Sequence, residues 1–175
     1  WRWSSWWANT LRLGAELGSS FGFGLARGAR VTGKLDLVGQ LGGHRPTALA
    51  AVGALLHGVT SIDLSENSIT PGELETLARS IRCSATLEGL NLAKNAIGNQ
   101  GAVIMSAVLP ESKLTMLNLF GTGIKEEGSR ALVSAISTSP CLTHLNMQYN
   151  AVRGEAKKAL EAANAARSSP VFLVL

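Results

Sequence analysis

One eleven-residue pattern recurs along this chain at intervals of 27 or 28 residues. Its clearest copy is Leu87–Ile97, with Leu at positions 1, 4 and 6, Asn at position 9 and Ile at position 11. In-phase copies begin at Val59, Leu114 and Leu142, and weaker ones begin at Thr32 and Pro170. A fixed period of this length is typical of stacked supersecondary units. It therefore predicts a solenoid in which each unit contacts its neighbours.

Each unit combines a strand with a helix. Alternation places the residues at positions 4 and 6 on the core side of a strand. After the pattern, apolar residues three and four apart predict a helix. These residues are Leu74, Leu77, Ala78 and Ile81, then Ala102, Met105 and Leu109, then Leu132, Val133 and Ile136, then Ala156, Ala159, Leu160 and Ala163. The predicted fold class is α/β, with about four full repeats plus partial repeats at each end.

The spacing of strands and helices predicts a curved solenoid. Parallel strands need a crossover between them, which the helices supply. Paired strands lie about 4.7–4.9 Å apart, whereas packed helices need about 8–10 Å. The stack must therefore bend into a horseshoe, with parallel strands on the concave face and helices on the convex face.

The ninth position of the pattern is expected to hold the turn that follows each strand. Asn67, Asn95 and Asn150 occupy it, and an amide supplies both donors and an acceptor for backbone groups that the turn leaves unpaired. Thr122 has only a hydroxyl at this position, so we expect its turn to be tied less tightly.

The chain divides into residues 1–31, a Trp- and Gly-rich leader or N-terminal cap, and residues 32–175, the repeat domain. Repeats start near residues 32, 59, 87, 114, 142 and 170. The net charge of +4 belongs to residues 1–45, whereas later basic and acidic residues cancel. A balanced repeat domain makes nucleic acid a poor expected partner, and the chain lacks an apolar run long enough to span a membrane.

Motifs for catalysis, metals and nucleotides are weak here. The stretch from Gly28 to Lys34 resembles a P-loop, but Leu35 follows where Ser or Thr should hold magnesium. Cys141 and His144 have metal-ligand spacing without further ligands nearby. We therefore predict no enzyme activity, no cofactor, no metal and no catalytic residue.

The two cysteines favour a reducing compartment. Cys83 and Cys141 lie two repeats apart, too far for a disulfide, and we expect both to fill small apolar gaps near helix ends. An intracellular location is predicted, with the cytoplasm as the expected compartment. An organelle is the alternative if residues 1–31 are the remnant of a targeting sequence.

The pattern L-x-x-L-x-L-x-x-N-x-L, in units of about 28 residues with helices, resembles the leucine-rich repeats of the ribonuclease-inhibitor type. Such repeats occur in NOD-like receptors and in the Ran GTPase-activating protein. The resemblance covers residues 32–175 and is most specific over residues 59–152. It implies recognition of proteins on the concave strand face and adjoining loops, without fixing the partner.

Alternation places pattern positions 3, 5 and 7 on the solvent side of the strands, and position 8, which follows them, is added to this surface. Position 5 forms a row of Asp and Asn, and aromatic or Met side chains that could anchor a partner gather on the last two complete repeats. The predicted binding residues are Asp63, Glu66, Asn91, Lys94, Met116, Asn118, Phe120, His144, Asn146, Gln148 and Tyr149. The alternative is that the row is a structural preference of the repeat and the aromatics are scattered surface residues.

The main functional hypothesis is therefore a module that binds a partner protein. The alternatives are a regulator of a GTPase, as the resemblance allows, and a structural subunit of a larger assembly. The apolar segment 171–175 resembles an edge strand, and unpaired edges invite pairing. We expect an edge-strand contact with another chain there.

Overall fold

The computed structural model describes residues 11–12, 33–41 and 45–175. Within these residues, seven strands form one parallel sheet in chain order. The strands are β1 (Leu11–Arg12), β2 (Gly33–Asp36), β3 (Val59–Asp63), β4 (Gly89–Asn91), β5 (Met116–Asn118), β6 (His144–Asn146) and β7 (Phe172–Val174). The prediction of an α/β leucine-rich-repeat solenoid is confirmed.

From β2 onward, one helix connects each strand to the next, and all the described helices lie on the same side of the sheet. The described helices are α1 (Arg45–Leu55), α2 (Pro71–Cys83), α3 (Gly98–Val108), α4 (Glu126–Thr138) and α5 (Gly154–Ala165). A 3₁₀ turn, Leu109–Glu111, extends α3. Each helix packs against the next one along the chain. None of these described helices is long and apolar enough to cross a bilayer.

The strand register repeats the register of the sequence pattern. Ser61 of β3 pairs with Gly89 of β4, Gly89 with Met116, Met116 with His144, and His144 with Phe172. Residues two positions later pair in the same way. Equivalent pattern positions therefore form rows across the sheet, and any side chain is flanked by its counterparts in neighbouring repeats.

The core lies between sheet and helices. At positions 4 and 6 the side chains are almost completely buried: Ile62, Leu64, Leu90, Leu92, Leu117, Leu119, Leu145 and Met147. The predicted helix stripes meet them, since Leu74, Leu77, Ala78 and Ile81 of α2 are all buried. Full burial of one such aliphatic side chain contributes about 1.5–3 kcal/mol.

Helix α2 begins where its sequence predicts. Thr70 precedes it in an extended conformation, and its backbone N–H donates to Glu73 Oε2 at 2.8 Å. Pro71 occupies the first helical turn, where its missing N–H costs nothing. Glu73 also lies near the positive end of the helix dipole. Together these features fix the start of the helix at Pro71, two residues after the pattern ends at Ile69.

The first strand lies inside the segment that the sequence sets apart from the repeats. Leu11 pairs with Leu35 and Arg12 with Asp36, both in parallel. The remainder of residues 1–31, including Trp1, Trp3, Trp6 and Trp7, lies outside the described residues. The division at residue 31 and the choice between leader and cap therefore stay predictions.

Candidate protein-binding face

The ninth-position Asn hydrogen-bonds backbone groups of its own turn and of the neighbouring repeat. Asn95 Nδ2 donates to Leu64 O in the preceding repeat and to Leu92 O in its own, both at 2.9 Å. Its Oδ1 accepts from the backbone N–H groups of Asn67 at 3.1 Å and Ile69 at 2.8 Å. One buried amide thus satisfies backbone groups of two repeats.

Asn67 and Asn150 act in the same way. Asn67 Nδ2 donates to Leu37 O at 2.8 Å, and Asn150 Nδ2 donates to Leu119 O at 2.7 Å. Thr122 is the exception, because its hydroxyl carries a single proton. Its Oγ1 lies 2.8 Å from Leu119 O and 3.3 Å from Asn150 Oδ1. A hydroxyl with one proton cannot reproduce the several donations of an amide, and the looser turn expected at Thr122 stays a prediction.

The fifth-position row of Asp and Asn has a structural role in each of the five repeats that contain one. In each case Oδ1 accepts from the backbone N–H two residues later, which shapes the turn out of the strand. The pairs are Asp36 with Val38 at 3.1 Å, Asp63 with Ser65 at 2.9 Å, Asn91 with Ala93 at 3.0 Å, Asn118 with Phe120 at 3.1 Å and Asn146 with Gln148 at 3.0 Å. Either an Asp or an Asn supplies this acceptor.

The second polar atom of each side chain in this row is used differently. Asn91 Nδ2 donates to Asp63 Oδ2 at 2.7 Å. Burial raises the pKa of the Asp63 carboxyl above its usual value, and hydrogen bonds from Ser65 and Asn91 oppose that shift. Of the two opposing effects, desolvation is the larger. On β3 and β4, the side chains of the row therefore supply hydrogen-bond partners to each other.

The expectation of solvent exposure is wrong for most residues at positions 3 and 5. Asp63, Asn91, Asn118 and Asn146 are buried, and Met116 is only 7% exposed. Strands about 4.8 Å apart bring side chains of one row into contact, so each is shielded on both sides by its neighbours. These residues form the floor of the concave face, and a ligand could reach them only from the solvent side of the sheet.

At the eighth position the backbone takes a left-handed conformation in repeat after repeat. Gly39, Glu66, Lys94, Gly121 and Tyr149 have φ values of 63°, 60°, 56°, 60° and 57°. Non-glycine residues pay about 1–2 kcal/mol for this conformation. Glycine would avoid that cost, as it does in two of these repeats. Glu66, Lys94 and Tyr149 therefore occupy the turn after each strand at an energetic cost.

Ring side chains form two close pairs on the last two complete repeats and the partial repeat that follows them. The rings of Phe120 and Tyr149 are 4.6 Å apart between centroids, and Tyr149 is 81% exposed. His144 and Phe172 lie 5.6 Å apart, and Phe172 is 54% exposed. We call Met116, Phe120, His144, Tyr149 and Phe172 the aromatic patch. The prediction of a cluster omitted Phe172, although its position 3 in the next repeat could have indicated it.

The predicted binding residues thus fall into two groups. Asp63, Glu66, Asn91 and Lys94 form a polar region on β3 and β4, in which Lys94 Nζ lies 2.7 Å from Glu66 Oε1. Asn118, Asn146 and Gln148 accompany the aromatic patch on β5 and β6. The sequence also missed Ser61, whose buried hydroxyl has no hydrogen-bond partner in the described structure.

The described residues offer no group of three or more His, Cys, Asp or Glu side chains that could hold a metal ion. Cys83 and Cys141 are both free thiols. The expectation that both fill apolar gaps is wrong for Cys83, which is exposed at the end of α2 because the buried stripe of that helix ends at Ile81. Cys141 is half-buried.

Segment 171–175 contains the strand β7 (Phe172–Val174), which pairs with β6 through Leu145 and Leu173. Leu173 and Leu175 pack in part against the core. The contact predicted for the other edge of this strand stays a prediction.

Comparisons with known proteins agree with this architecture. The family described as "Leucine Rich repeat" matches residues 83–103 and 138–160. "NACHT, LRR and PYD domains-containing protein 14" of Mus musculus is 30% identical over 99 residues, covering 55% of this chain and 10% of that protein. "NACHT, LRR and PYD domains-containing protein 3" of Homo sapiens is 30% identical over 131 residues, which cover 73% of this chain and 13% of that protein.

The chain therefore spans about a tenth of the length of the curated relatives that it matches. Among solved structures, "Leiomodin-1 Actin-Binding Site 2 (ABS2)" superimposes with a TM-score of 0.61 at 16% identity, covering 75% of this chain and 76% of that one. At that identity the likeness concerns the fold alone. The recurring pattern, the parallel sheet and these relatives together show that the chain is a leucine-rich-repeat protein with repeats of the NOD-like receptor type.

Proposed function

We propose that this chain is a non-enzymatic module that binds a partner protein through the concave face of its sheet and the adjoining loops. Leucine-rich-repeat domains in general mediate protein–protein interaction, which supports this class of function. The observation that carries the proposal is the aromatic patch, in which the ring of Phe120 contacts the ring of the exposed Tyr149. Exposed aromatic side chains supply much of the binding energy at protein interfaces.

Within this proposal the aromatic patch supplies most of the binding energy, and the polar region makes the peripheral contacts with the partner. Tyr149 is held in a left-handed conformation that glycine would adopt more easily, so its side chain is retained despite the backbone cost. The ion pair of Glu66 and Lys94 has side chains that are 50% and 58% exposed, and a pair in solvent contributes little to stability. Such charges serve orientation and association rate.

The test uses a variant copied from the chain's own repeats. Ser65 and Gly39 are the counterparts of Phe120 and Tyr149 at positions 7 and 8, so the double variant Phe120→Ser, Tyr149→Gly uses residues that this repeat already accepts. The matched control is Val103→Ser, which removes an exposed apolar side chain from helix α3. Circular dichroism verifies that each variant is folded.

Affinity capture from native extract compares the three proteins. A partner retained by the parent and by Val103→Ser, but lost by the double variant, would support the concave face as the binding surface. Equal capture by all three would reject it. The proposal includes an intracellular compartment, in keeping with the free thiols of Cys83 and Cys141, and a protein as the expected partner in place of nucleic acid or a membrane.

The two alternatives predict different measurements. A GTPase regulator would accelerate GTP hydrolysis by a captured GTPase, which a simple binding module would leave unchanged. A structural subunit would co-purify at fixed stoichiometry and resist dilution. The contact expected at segment 171–175 would appear as protection of β7 backbone amides from hydrogen exchange on addition of the captured partner.

A further inference from the structure

Two side-chain amides on the concave face carry hydrogen-bond donors that the described structure does not use. Asn118 Oδ1 accepts from Phe120 N and Asn146 Oδ1 accepts from Gln148 N, so these bonds fix which end of each amide is oxygen. The Nδ2 groups are left over, and neither has a hydrogen-bond partner among the described residues. Each amide thus has two protons to offer.

The same row shows what such a donor binds. One repeat earlier, Asn91 is held by the same Oδ1 bond to the backbone two residues later, and its Nδ2 donates to the Asp63 carboxylate at 2.7 Å. The donor of Asn91 is therefore satisfied by a carboxylate from the neighbouring strand. Asn118 and Asn146 have no carboxylate neighbour in the row, because an Asn precedes each of them.

The surroundings of the two amides favour an acceptor from outside. Asn118 is 9% exposed and Asn146 is 6% exposed, yet neither Nδ2 atom is among the fully buried unpartnered polar atoms of the described residues, so a ligand on the solvent side of the sheet can reach both donors. Segments 114–124 and 142–152, which form β5, β6 and the turns after them, contain no Asp or Glu, so an approaching carboxylate meets no like charge from these segments. The corresponding segments that begin at residues 32 and 59 contain Asp36, Asp63 and Glu66.

An apolar anchor lies at a matching distance from the amides. Phe120 follows Asn118 by two residues, in the turn after β5, so its Cα lies at most about 7 Å from that of Asn118. Two residues of an extended peptide span a similar distance, so alternate side chains of a peptide lying along β5 and β6 would meet first the amide pair and then the Phe120–Tyr149 ring pair.

We propose that the β5–β6 part of the concave face binds an extended segment of a partner protein in which an Asp or Glu and a large apolar residue are separated by one residue. The carboxylate accepts from Nδ2 of Asn118 and of Asn146, and the apolar side chain packs on Phe120 and Tyr149. This inference deepens the proposed function and rests on it, since it names the chemistry of the segment recognised there.

The experiment is an NMR titration of the ¹⁵N-labelled chain with end-blocked eight-residue peptides in a Gly-Ser context. One peptide contains Glu-Ser-Leu and a second contains Leu-Ser-Glu, which covers both chain directions. Controls replace Glu by Gln or Lys. The side-chain amide resonances of Asn118 and Asn146 are a direct readout, because these are the groups that would donate. Charge-assisted bonds are about twice as strong as neutral ones, so we expect the Gln peptides to bind at least about tenfold more weakly.

The matched variant is Asn118→Asp. It keeps the acceptor for Phe120 N and places a carboxylate beside Asn146 Nδ2, which reproduces the Asp63–Asn91 pair already present in the fold. Binding of the Glu peptide should be lost, although the protein stays folded. The control Asp36→Asn exchanges the same residue types in the same row three strands away and should leave binding unchanged.

Saturable shifts of both side-chain amides with a Glu peptide, weakened by Gln and abolished by Asn118→Asp, would support the inference. Equal binding of Glu and Gln peptides would overturn it, as would unmoved amide resonances at about 10 mM peptide. Failure here is separable from failure of the proposed function. If a captured partner is lost by Phe120→Ser, Tyr149→Gly but retained by Asn118→Asp, the concave face binds protein without the carboxylate contact.

Discussion

The carboxylate of Asp63 and the amide of Asn91 face each other across two neighbouring strands, with Asn91 Nδ2 2.7 Å from Asp63 Oδ2. Both residues occupy the fifth position of their repeats, and both use Oδ1 to shape the turn that follows the strand. The pair marks a change along the concave face. Before it the row is acidic, and after it the row consists of amides beside aromatic side chains.

The first prediction concerns the pH dependence of stability that Asp63 causes. Its pKa is raised in the folded state, chiefly by burial, so the folded protein binds the proton more tightly than the unfolded chain. The contribution of this group to the free energy of unfolding is thus fully present below the usual value of 3.8 and is lost as pH rises through the raised folded pKa.

Denaturant unfolding of the parent and of Asp63→Asn between pH 3 and pH 7 checks the sign. The parent should lose stability relative to the variant as pH increases through the acid range. A difference between the two proteins that does not vary with pH would show that burial does not shift this carboxyl.

The second prediction compares Asn95 with Thr122 at the ninth position. Asn95→Thr should lower the free energy of unfolding by about 2–4 kcal/mol, because buried backbone groups of two repeats would lose their partners. The reverse exchange, Thr122→Asn, should raise it by about 1 kcal/mol, since an amide could donate to more than one carbonyl there.

Urea denaturation of the two variants measures both effects against the parent. The pair controls for the side-chain exchange itself, because the same two residue types are swapped in opposite directions. Destabilisation of similar size in both variants would mean that local packing, and not the number of hydrogen bonds, decides which residue suits this position.

The third prediction compares two glycines in first helical turns. A Cβ at Gly128 of α4 would lie 2.8 Å from Asn99 Cα, so Gly128→Ala requires the backbones of adjacent repeats to separate. A Cβ at Gly72 of α2 would meet nothing within 4 Å. Gly128→Ala should destabilise by about 1–3 kcal/mol, whereas Gly72→Ala should stabilise by about 0.5–1 kcal/mol.

Thermal unfolding followed by circular dichroism distinguishes the two variants. The reasoning fails if Gly128→Ala melts at or above the temperature of the parent, because α3 and α4 would then have room between them.

The fourth prediction separates stability from binding at Tyr149. Tyr149→Gly removes the cost of a left-handed conformation, which stabilises the fold. It also loses the contact with Phe120 and makes the unfolded chain more flexible, and both effects destabilise the fold. Because these effects oppose one another, the free energy of unfolding should stay within about 1 kcal/mol of that of the parent. Partner capture should nevertheless fall by about tenfold or more, as expected for an exposed aromatic anchor.

Equilibrium unfolding and quantitative capture on the same preparations provide the two readouts. Loss of stability by several kcal/mol would assign Tyr149 a structural role, whereas unchanged capture would remove it from the binding surface.

The local pattern alone determined the fold of residues 33–175. The 27–28-residue period, the alternation of Leu90 and Leu92 and the three-and-four spacing of Leu74, Leu77 and Ile81 specify which faces are apolar. Burial of those faces leaves a parallel sheet backed by helices as the arrangement that satisfies every repeat. The ninth-position Asn was predictable for the same reason, since a buried turn needs both donors and acceptors.

Tertiary structure decided what the concave face offers. The sequence placed Met116 and Asn118 on the solvent side, but contact between strands buried them. It showed a uniform row of Asp and Asn, whereas the distance between neighbouring side chains left Asn91 paired and the Nδ2 groups of Asn118 and Asn146 unused. Periodicity in the sequence indicates the direction of a side chain. Hydrogen bonding and shielding depend instead on which atoms of adjacent repeats come within about 3 Å of one another. Those distances are fixed only when the strands assemble into the sheet.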